Sequence, residues 1–200
     1  MSDHQLSDQP DLVGEGLSPG QSALLARARN FSRYKQMRAD LIKGKCTFCE
    51  IDPEVNKVVV ENDHWVAWEV PRNFAEKNTA LHALIVPRKH AAQLYELPDE
   101  ALAEGFNDIR KKVEAHFKIF EYGLLLRNGP LKLAGTVEHL HWHVMTPSGE
   151  GRLETPLAKS AAEEREGELR AILYERMLQG ENLESFTPDE QARLTPDRLK

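Results

Sequence analysis

Three histidines, His139, His141 and His143, occupy every second position near the middle of the sequence, and apolar residues alternate with them. Successive side chains of a β-strand project from opposite faces, so a strand here places the three imidazoles on one face and the apolar residues on the other. A solvated polar face is the simplest alternative. However, neutral imidazole can attack phosphorus, hydrogen-bond to phosphoryl oxygens or bind a metal ion. The pattern therefore predicts a chemically active strand.

Two arrangements of this triplet are compatible with the spacing. The first is a zinc site made by all three histidines, but the outer pair lie about 13 Å apart at Cα on a straight strand. Zinc takes each nitrogen at about 2.0–2.1 Å, so that arrangement is strained. In the second arrangement one or two imidazoles face a phosphate, and another is bound elsewhere.

The only two cysteines, Cys46 and Cys49, have the spacing C-x-x-C. Two thiolates from one tight turn can bind a metal ion, although a closed zinc site needs two further ligands. A redox pair or two ordinary buried thiols are the alternatives. A redox motif is expected where a strand enters a helix of a βαβ unit, and the sequence around Cys46 does not have that pattern.

The residues around these motifs predict an α+β fold with an antiparallel sheet and a core helix. Residues 1–17 are expected to form a mobile tail, 18–44 an N-terminal helix, 45–150 the catalytic domain and 151–200 a C-terminal helical extension. Ser160 and Glu163 form a capping box that opens a helix in this extension. Strands are predicted at 58–60, 65–68, 83–86, 123–126 and 137–145, with the core helix at 98–120.

Bulk composition excludes several classes of protein. The 200 residues are 40% hydrophobic and 29% charged, which suits a packed core and argues against general disorder. The net charge of −6 disfavours a nucleic-acid polymer as partner, whereas a small phosphate ligand needs only a local positive site. No apolar run approaches the roughly 18–20 residues that cross a bilayer, and the first 16 residues lack signal-peptide features. We therefore expect a cytoplasmic protein without membrane association.

The segment His139–Met145 resembles the signature of the histidine triad (HIT) family, in which three histidines alternate with hydrophobic residues. The segment His82–His90 resembles the second block of that family: a histidine, an apolar strand, a proline, basic residues and another histidine. Asn128 and Thr136 lie where the family has an asparagine and a small hydroxyl residue. The C-x-x-C pair is similar to that of the zinc-containing members. One departure is Ala134-Gly135, where many members have Gly-Gln.

The resemblance implies a nucleotide hydrolase or nucleotidyltransferase. His141 would attack the α-phosphorus of an adenosine-type nucleotide or dinucleoside polyphosphate and form a nucleotidyl-histidine. His143 would bind phosphoryl oxygen and assist the leaving group, and His82 would orient the cluster. Asn128 and Thr136 would position the phosphate or its leaving group. The ribose contact would be Glu69 or Asn73, and Asn73 is taken as the candidate.

The resemblance also implies a structural zinc ion bound by Cys46, Cys49, His90 and His139, with no organic cofactor. In that case His139 faces the metal and leaves His141 for the phosphate. The expected partners are a small nucleotide substrate and a second copy of the chain in a homodimer. A phosphorylase, in which inorganic phosphate replaces water, and a nucleotide-binding module without turnover are the alternative functions.

Overall fold

The computed structural model describes residues 17, 19–28, 30–51, 56–72, 74–129, 137–155 and 157–194. Nearly all of the expected tail lies outside the described residues, as do Asn73 and Thr136. The chain divides into two compact units. One is formed by the described parts of Met1–Lys45 and Lys159–Lys200, and the other by those of Cys46–Ala158.

An antiparallel sheet forms the centre of the second unit. Within the described residues it has five strands in the order β1-β2-β3-β5-β4, and every neighbouring pair is antiparallel. This confirms the α+β prediction. The strands are β1 (Val58–Glu61), β2 (Trp65–Glu69), β3 (Thr79–Pro87), β4 (Gly123–Arg127) and β5 (His141–Pro147).

A long helical segment covers one face of this sheet, where the sequence predicted a helix over 98–120. It consists of α3 (Asp99–Glu104), a π-helical stretch (Gly105–Ile109) and α4 (Arg110–Phe117). A 3-10 turn (Leu94–Glu96) precedes it. Its apolar side packs on alternate residues of the strands in one buried cluster. That cluster includes Trp65, Ala67, Ala83, Ile85, Ala101, Ile109, Val113, Leu140, Trp142 and Val144.

The opposite face of the sheet has a smaller apolar cluster. Val66, Trp68, Leu84 and Val86 form it together with neighbouring residues, and Phe48 packs against it. Because side chains alternate along a strand, the residues of β3 and β5 that face this cluster include the histidines. One face of the sheet therefore packs against the helical segment, and the other face carries the histidines.

The first unit contains helices from both ends of the chain. They are α1 (Pro19–Leu25), α2 (Phe31–Ile42), α5 (Ala161–Leu178) and α6 (Pro188–Leu194), with a 3-10 turn at Leu183–Ser185. The capping box of Ser160 and Glu163 opens α5 as predicted. The segment 18–44, expected to be one helix, contains two. The break has a local cause, because the Asn30 side chain accepts a hydrogen bond from the backbone N–H of Arg33 and starts α2 anew.

A buried carboxylate ties these terminal helices together. Glu175 on α5 accepts hydrogen bonds from the Tyr34 hydroxyl at 2.8 Å and from Arg38 Nε at 2.6 Å, both on α2. Burial, followed by the hydrogen bond to Glu175, raises the pKa of Tyr34 well above its usual value. Within the described part of the chain, no helix is both long and apolar enough to cross a bilayer.

Gly105 is where the helical segment approaches the sheet most closely. A Cβ added there would lie 2.8 Å from atoms of both Trp65 and Trp142, which are fully buried. We expect Gly105→Ala to lower the free energy of unfolding by about 1–3 kcal/mol, because two rigid indoles must move. This net loss corresponds to a packing cost of about 2–4 kcal/mol, offset by the roughly 1 kcal/mol that alanine gains over glycine in a helix. Urea denaturation measures the change.

Gly123→Ala on β4 is the control for Gly105→Ala, because the added Cβ there meets nothing closer than the Met145 carbonyl oxygen at 3.9 Å. An unchanged or increased stability of Gly105→Ala would contradict the packing argument.

Candidate functional site

His139 does not lie on the strand with the other two histidines of the triplet. The strand was predicted over 137–145, but β5 begins at His141, so the expectation that all three imidazoles share one strand face is wrong for His139. Just before the strand, the Leu140 N–H donates to the Ala91 carbonyl oxygen at 2.6 Å. The His139 ring instead turns toward the cysteine pair, and its Nε2 lies 2.9 Å from the Pro87 carbonyl oxygen.

Cys46, Cys49, His90 and His139 form a group able to hold a metal ion. Their ligand atoms all lie within 4.8 Å of one another. Cys46 Sγ is 3.3 Å from His139 Nδ1, and Cys49 Sγ is 3.3 Å from His90 Nδ1 and 3.5 Å from His139 Nδ1. A carbonyl oxygen only accepts hydrogen bonds, so His139 Nε2 carries the proton and Nδ1 keeps its lone pair facing the sulfurs.

The thiol chemistry of this group differs from that of a reactive redox pair. Partial desolvation of its sulfur, followed by the effect of the neighbouring Cys46, raises the pKa of Cys49 to about 11. A redox-active cysteine needs a lowered pKa to present a thiolate at neutral pH. The clustering of two sulfurs and two imidazole nitrogens within 4.8 Å of one another favours metal binding over the redox alternative.

His141 is buried and held in one tautomer. Its exposed fraction is 5%, and those of His139 and His143 are 2% and 8%, so the histidines do not form a solvated polar face. Its Nδ1 lies 2.6 Å from the His139 carbonyl oxygen, which requires a proton on Nδ1 and leaves a lone pair on Nε2. Burial lowers the pKa of His141 to about 4, so the ring is neutral at pH 7.

A chain of hydrogen bonds connects His143 to His82 and the backbone. The N–H of Glu76 donates to His82 Nδ1 at 3.1 Å, so a neutral His82 carries its proton on Nε2. That atom lies 2.8 Å from His143 Nδ1. At the other end of this chain, the Nε–H of Arg127 is directed at His143 Nε2 at 3.2 Å. Strand pairing brings the two histidines together, because His82 lies two residues before Leu84, the β3 partner of His143, and therefore on the same face.

Phe48, from the turn between the two cysteines, forms an apolar wall beside these histidines. Its ring lies edge-to-face with that of His141 at a centroid distance of 5.2 Å, and with Trp68 at 5.5 Å. The same turn therefore supplies two metal-binding sulfurs and an aromatic contact to His141. All three tryptophans are buried, with exposed fractions of 0–2%.

Arg127, the last residue of β4, is a site residue that the sequence analysis missed. It pairs with His141 across the strands, and its Nε lies 3.2 Å from His143 Nε2. The available signal was a cation ending the apolar run Leu124–Leu126, but the strand register needed to interpret it is a tertiary feature. Its neighbour Asn128 is exposed, and its Oδ1 accepts the N–H of Leu94 at 2.7 Å.

Known proteins with similar sequences belong to one family. The family profile described as HIT domain matches residues 54–150. A HIT-like protein of Methanocaldococcus jannaschii is 35% identical over 111 residues, which cover 53% of this chain and 81% of that protein. The adenosine 5'-monophosphoramidase of Saccharomyces cerevisiae is 38% identical over 65 residues, which cover 32% of this chain and 39% of the yeast protein.

A solved structure, the histidine triad nucleotide-binding protein from Candida albicans, aligns with 68% of this chain and 100% of its own. Its sequence identity is 23% and the TM-score is 0.44. From the sequence matches, the chain belongs to the HIT domain family.

The hydrogen bonds predict opposite tautomers for two neighbouring histidines. We expect His141 to be protonated on Nδ1 and His139 on Nε2 at pH 7, because each proton is donated to a backbone carbonyl oxygen. Long-range ¹H–¹⁵N correlation spectra of histidine-labelled protein distinguish these forms by their ring nitrogen shifts. Exposed His116 is the internal control, since a solvated ring exchanges between tautomers. An Nε2 proton on His141 would contradict the assignment.

Proposed function

We propose that this protein is a nucleotide hydrolase acting at the α-phosphorus of an adenosine-type nucleotide or dinucleoside polyphosphate, through a nucleotidyl-histidine formed on His141. The observation that carries the proposal is the buried His141 ring, whose Nδ1–H is directed at the His139 carbonyl oxygen while Nε2 keeps its lone pair. Relatives in Saccharomyces cerevisiae and Schizosaccharomyces pombe are named adenosine 5'-monophosphoramidases, which supports phosphorus chemistry of this kind.

In the first half-reaction, His141 Nε2 attacks the α-phosphorus. A P–N bond forms, and the bond from phosphorus to the leaving group breaks with its electron pair on that group. An amine leaving group takes up one proton from solvent as it departs, and the water of the second half-reaction returns that proton. The attack puts positive charge on the His141 ring, which the His139 carbonyl oxygen at 2.6 Å stabilises without reorganisation. His143, with its Nε2 toward the phosphate, binds a phosphoryl oxygen and assists the departure of the leaving group. His82 and the Glu76 amide hold His143 in that orientation.

In the second half-reaction, water attacks phosphorus and the P–N bond breaks. A proton from the water passes to solvent, a nucleoside monophosphate is released and His141 is regenerated. Asn128 and Thr136 are proposed to position the phosphate, and Asn73 to contact the ribose. If inorganic phosphate replaced water, the same intermediate would give a phosphorylase reaction. If another acceptor replaced water, the reaction would be a nucleotidyl transfer.

The role of His141 is tested by His141→Asn, which keeps much of the size and polarity but removes the attacking nitrogen. We expect turnover of adenosine 5'-monophosphoramidate to fall by at least about a thousandfold while nucleotide affinity changes far less, because the interaction is used only along the reaction path. Acid-quenched wild-type protein should also retain label from an α-phosphate-labelled nucleotide, and the variant should not.

His116→Asn, at an exposed position on α4, is the matched control and should keep wild-type turnover. Turnover of His141→Asn within a few-fold of wild type would overturn the mechanism. Nucleotide binding with no product from any phosphoramidate or dinucleoside polyphosphate would instead support a binding module, and product formed only with added phosphate would support a phosphorylase.

We also propose that the group of two cysteines and two histidines binds a structural zinc ion. A tetrahedral ion with Zn–S of about 2.3 Å and Zn–N of about 2.0–2.1 Å separates sulfur from nitrogen by about 3.5 Å. The three sulfur–nitrogen distances of 3.3, 3.3 and 3.5 Å are close to that value. Four protein ligands close the coordination sphere, so the proposed role is to connect the cysteine turn to His139, two residues before β5.

Metal content and stability test this site together. We expect one zinc per chain in protein purified without added metal, and Cys46→Ser should lose the metal and lower the melting temperature by more than about 5 °C. Thr47→Ser, in the same turn, keeps both thiols and should retain zinc and stability. Wild-type protein that contains no metal and keeps its full stability would contradict the proposed zinc site. The homodimer and the cytoplasmic location stay predictions of the sequence.

A further inference from the structure

We propose that Thr79 and Arg72 are positioning residues for the phosphorus chemistry. They close the loop 71–80 so that the backbone N–H of Glu76 stays on His82 Nδ1, which fixes the orientation of the His82 ring. This inference rests on the proposed function and deepens it, because it names residues that act on the site through His82.

The backbone of Glu76 is held by the loop on both sides of its Cα. Its N–H donates to His82 Nδ1 at 3.1 Å, and its carbonyl oxygen accepts the Thr79 hydroxyl at 2.6 Å. A turn just before Glu76 is closed by the N–H groups of the two preceding residues, which donate to the Pro71 carbonyl oxygen at 2.8 and 3.0 Å. The amide that contacts His82 is therefore fixed by a turn on one side and by a hydroxyl on the other.

Thr79 is a buried polar residue at the first position of β3. Its exposed fraction is 5%, so water has little access to its hydroxyl, which donates to the Glu76 carbonyl oxygen instead. A buried hydroxyl without a hydrogen-bond partner is destabilising. This burial therefore favours the closed loop, in which Thr79 and Glu76 stay in contact.

A β-bulge at the start of β3 determines where the loop ends, and Arg72 binds this bulge. Thr79 and Leu81 pair with adjacent residues of β5, so Ala80 is the extra residue. Arg72 donates from Nη1 to the Thr79 carbonyl oxygen at 2.8 Å and from Nη2 to the Ala80 carbonyl oxygen at 2.9 Å. Because a guanidinium is a rigid planar fork of donors, one side chain holds two successive carbonyls. Arg72 thus connects the beginning of the loop to its end.

The His82 ring depends on this loop for one of the contacts that orient it. The ring is buried, its Nδ1 accepts the Glu76 N–H, and its Nε2 lies 2.8 Å from His143 Nδ1. A backbone N–H can only donate, so the closed loop keeps Nδ1 as an acceptor. When the loop opens, the ring loses this fixed donor and can turn away from His143. Because a misplacement of about 1 Å near the reacting atoms can cost about a hundredfold in rate, a loop without a reacting group can control turnover.

Thr79→Val tests the inference, because it keeps the shape of the side chain and removes the hydroxyl. We expect kcat for adenosine 5'-monophosphoramidate to fall by roughly tenfold, equivalent to about 1.4 kcal/mol, while KM changes by less than about twofold. Thr79→Ser restores a hydroxyl and should recover most of this loss. Arg72→Met, at an exposed position, should lower kcat by about threefold, because contacts of an exposed charged group are weaker.

Thr155→Val is the matched control, because it removes a hydroxyl of the same compact unit that lies outside the loop and donates to Met145 Sδ at 3.9 Å. It should keep kcat within about twofold of wild type. A rise in KM at unchanged kcat in Thr79→Val would overturn the inference, because the loop would then serve substrate binding. If Thr79→Val does not fold, unchanged kcat in Arg72→Met would overturn it.

A double-mutant cycle tests whether Thr79 acts through His82. In the His82→Ala background, Thr79→Val should change kcat by less than about twofold, because the contact that the hydroxyl supports is already absent. A loss of roughly tenfold in that background too would show that Thr79 acts by another route, and the inference would then be wrong.

Nuclear magnetic resonance separates failure of this inference from failure of the proposed function, because it does not depend on turnover. In ¹⁵N-labelled protein, the hydrogen bond from Glu76 to His82 gives a nitrogen–nitrogen coupling between the amide nitrogen and Nδ1. We expect this coupling in wild type, Thr79→Ser and Thr155→Val. It should be lost in Thr79→Val and weakened in Arg72→Met. If wild-type protein turns over no nucleotide, the hydrolase proposal fails and the coupling still decides the role of the loop. A coupling of wild-type size in both Thr79→Val and Arg72→Met sinks this inference alone.

Discussion

The pairing of β5 with β3 on one side and β4 on the other is the interaction on which both the core and the site depend. Trp142 and the residues alternating with it pack against the helical segment, while His141 and His143 face the other side of the sheet. A slip of one residue would exchange these faces and expose Trp142. Burial of an indole stabilises the fold by about 3 kcal/mol, so core packing stabilises the register that places His141 and His143 on the opposite face.

His139 links the metal-binding group to the reactive ring through two different parts of one residue. Its ring approaches both cysteine sulfurs, and its carbonyl oxygen holds His141 Nδ1–H. Phe48 adds a second connection, because it belongs to the cysteine turn and contacts the His141 ring. The group of two cysteines and two histidines is thus connected to the His141 ring through one backbone carbonyl and one aromatic contact.

The electrostatics of the site combine neutral rings with a local cation. Burial lowers the pKa values of His139 and His141 to about 4, which keeps both rings uncharged at pH 7. A neutral imidazole can act as a metal ligand or as a nucleophile, and the hydrogen-bond partner of each ring selects which nitrogen is available. Arg127 supplies a positive charge beside these rings, where its Nε–H donates to His143 Nε2.

Local periodicity was enough to predict the face of β5 occupied by its apolar residues, the helix over 98–120, the capping box of Ser160 and the C-x-x-C spacing of the cysteines. The remaining features depend on long-range contacts. His139 leaves the strand because long-range contacts with the cysteine turn and Pro87 hold its ring. His82 and His143 lie 61 residues apart, and Arg127 enters the site through the register of β4. Strand register and long-range pairing are set by packing across the whole sheet, which local residue patterns do not encode.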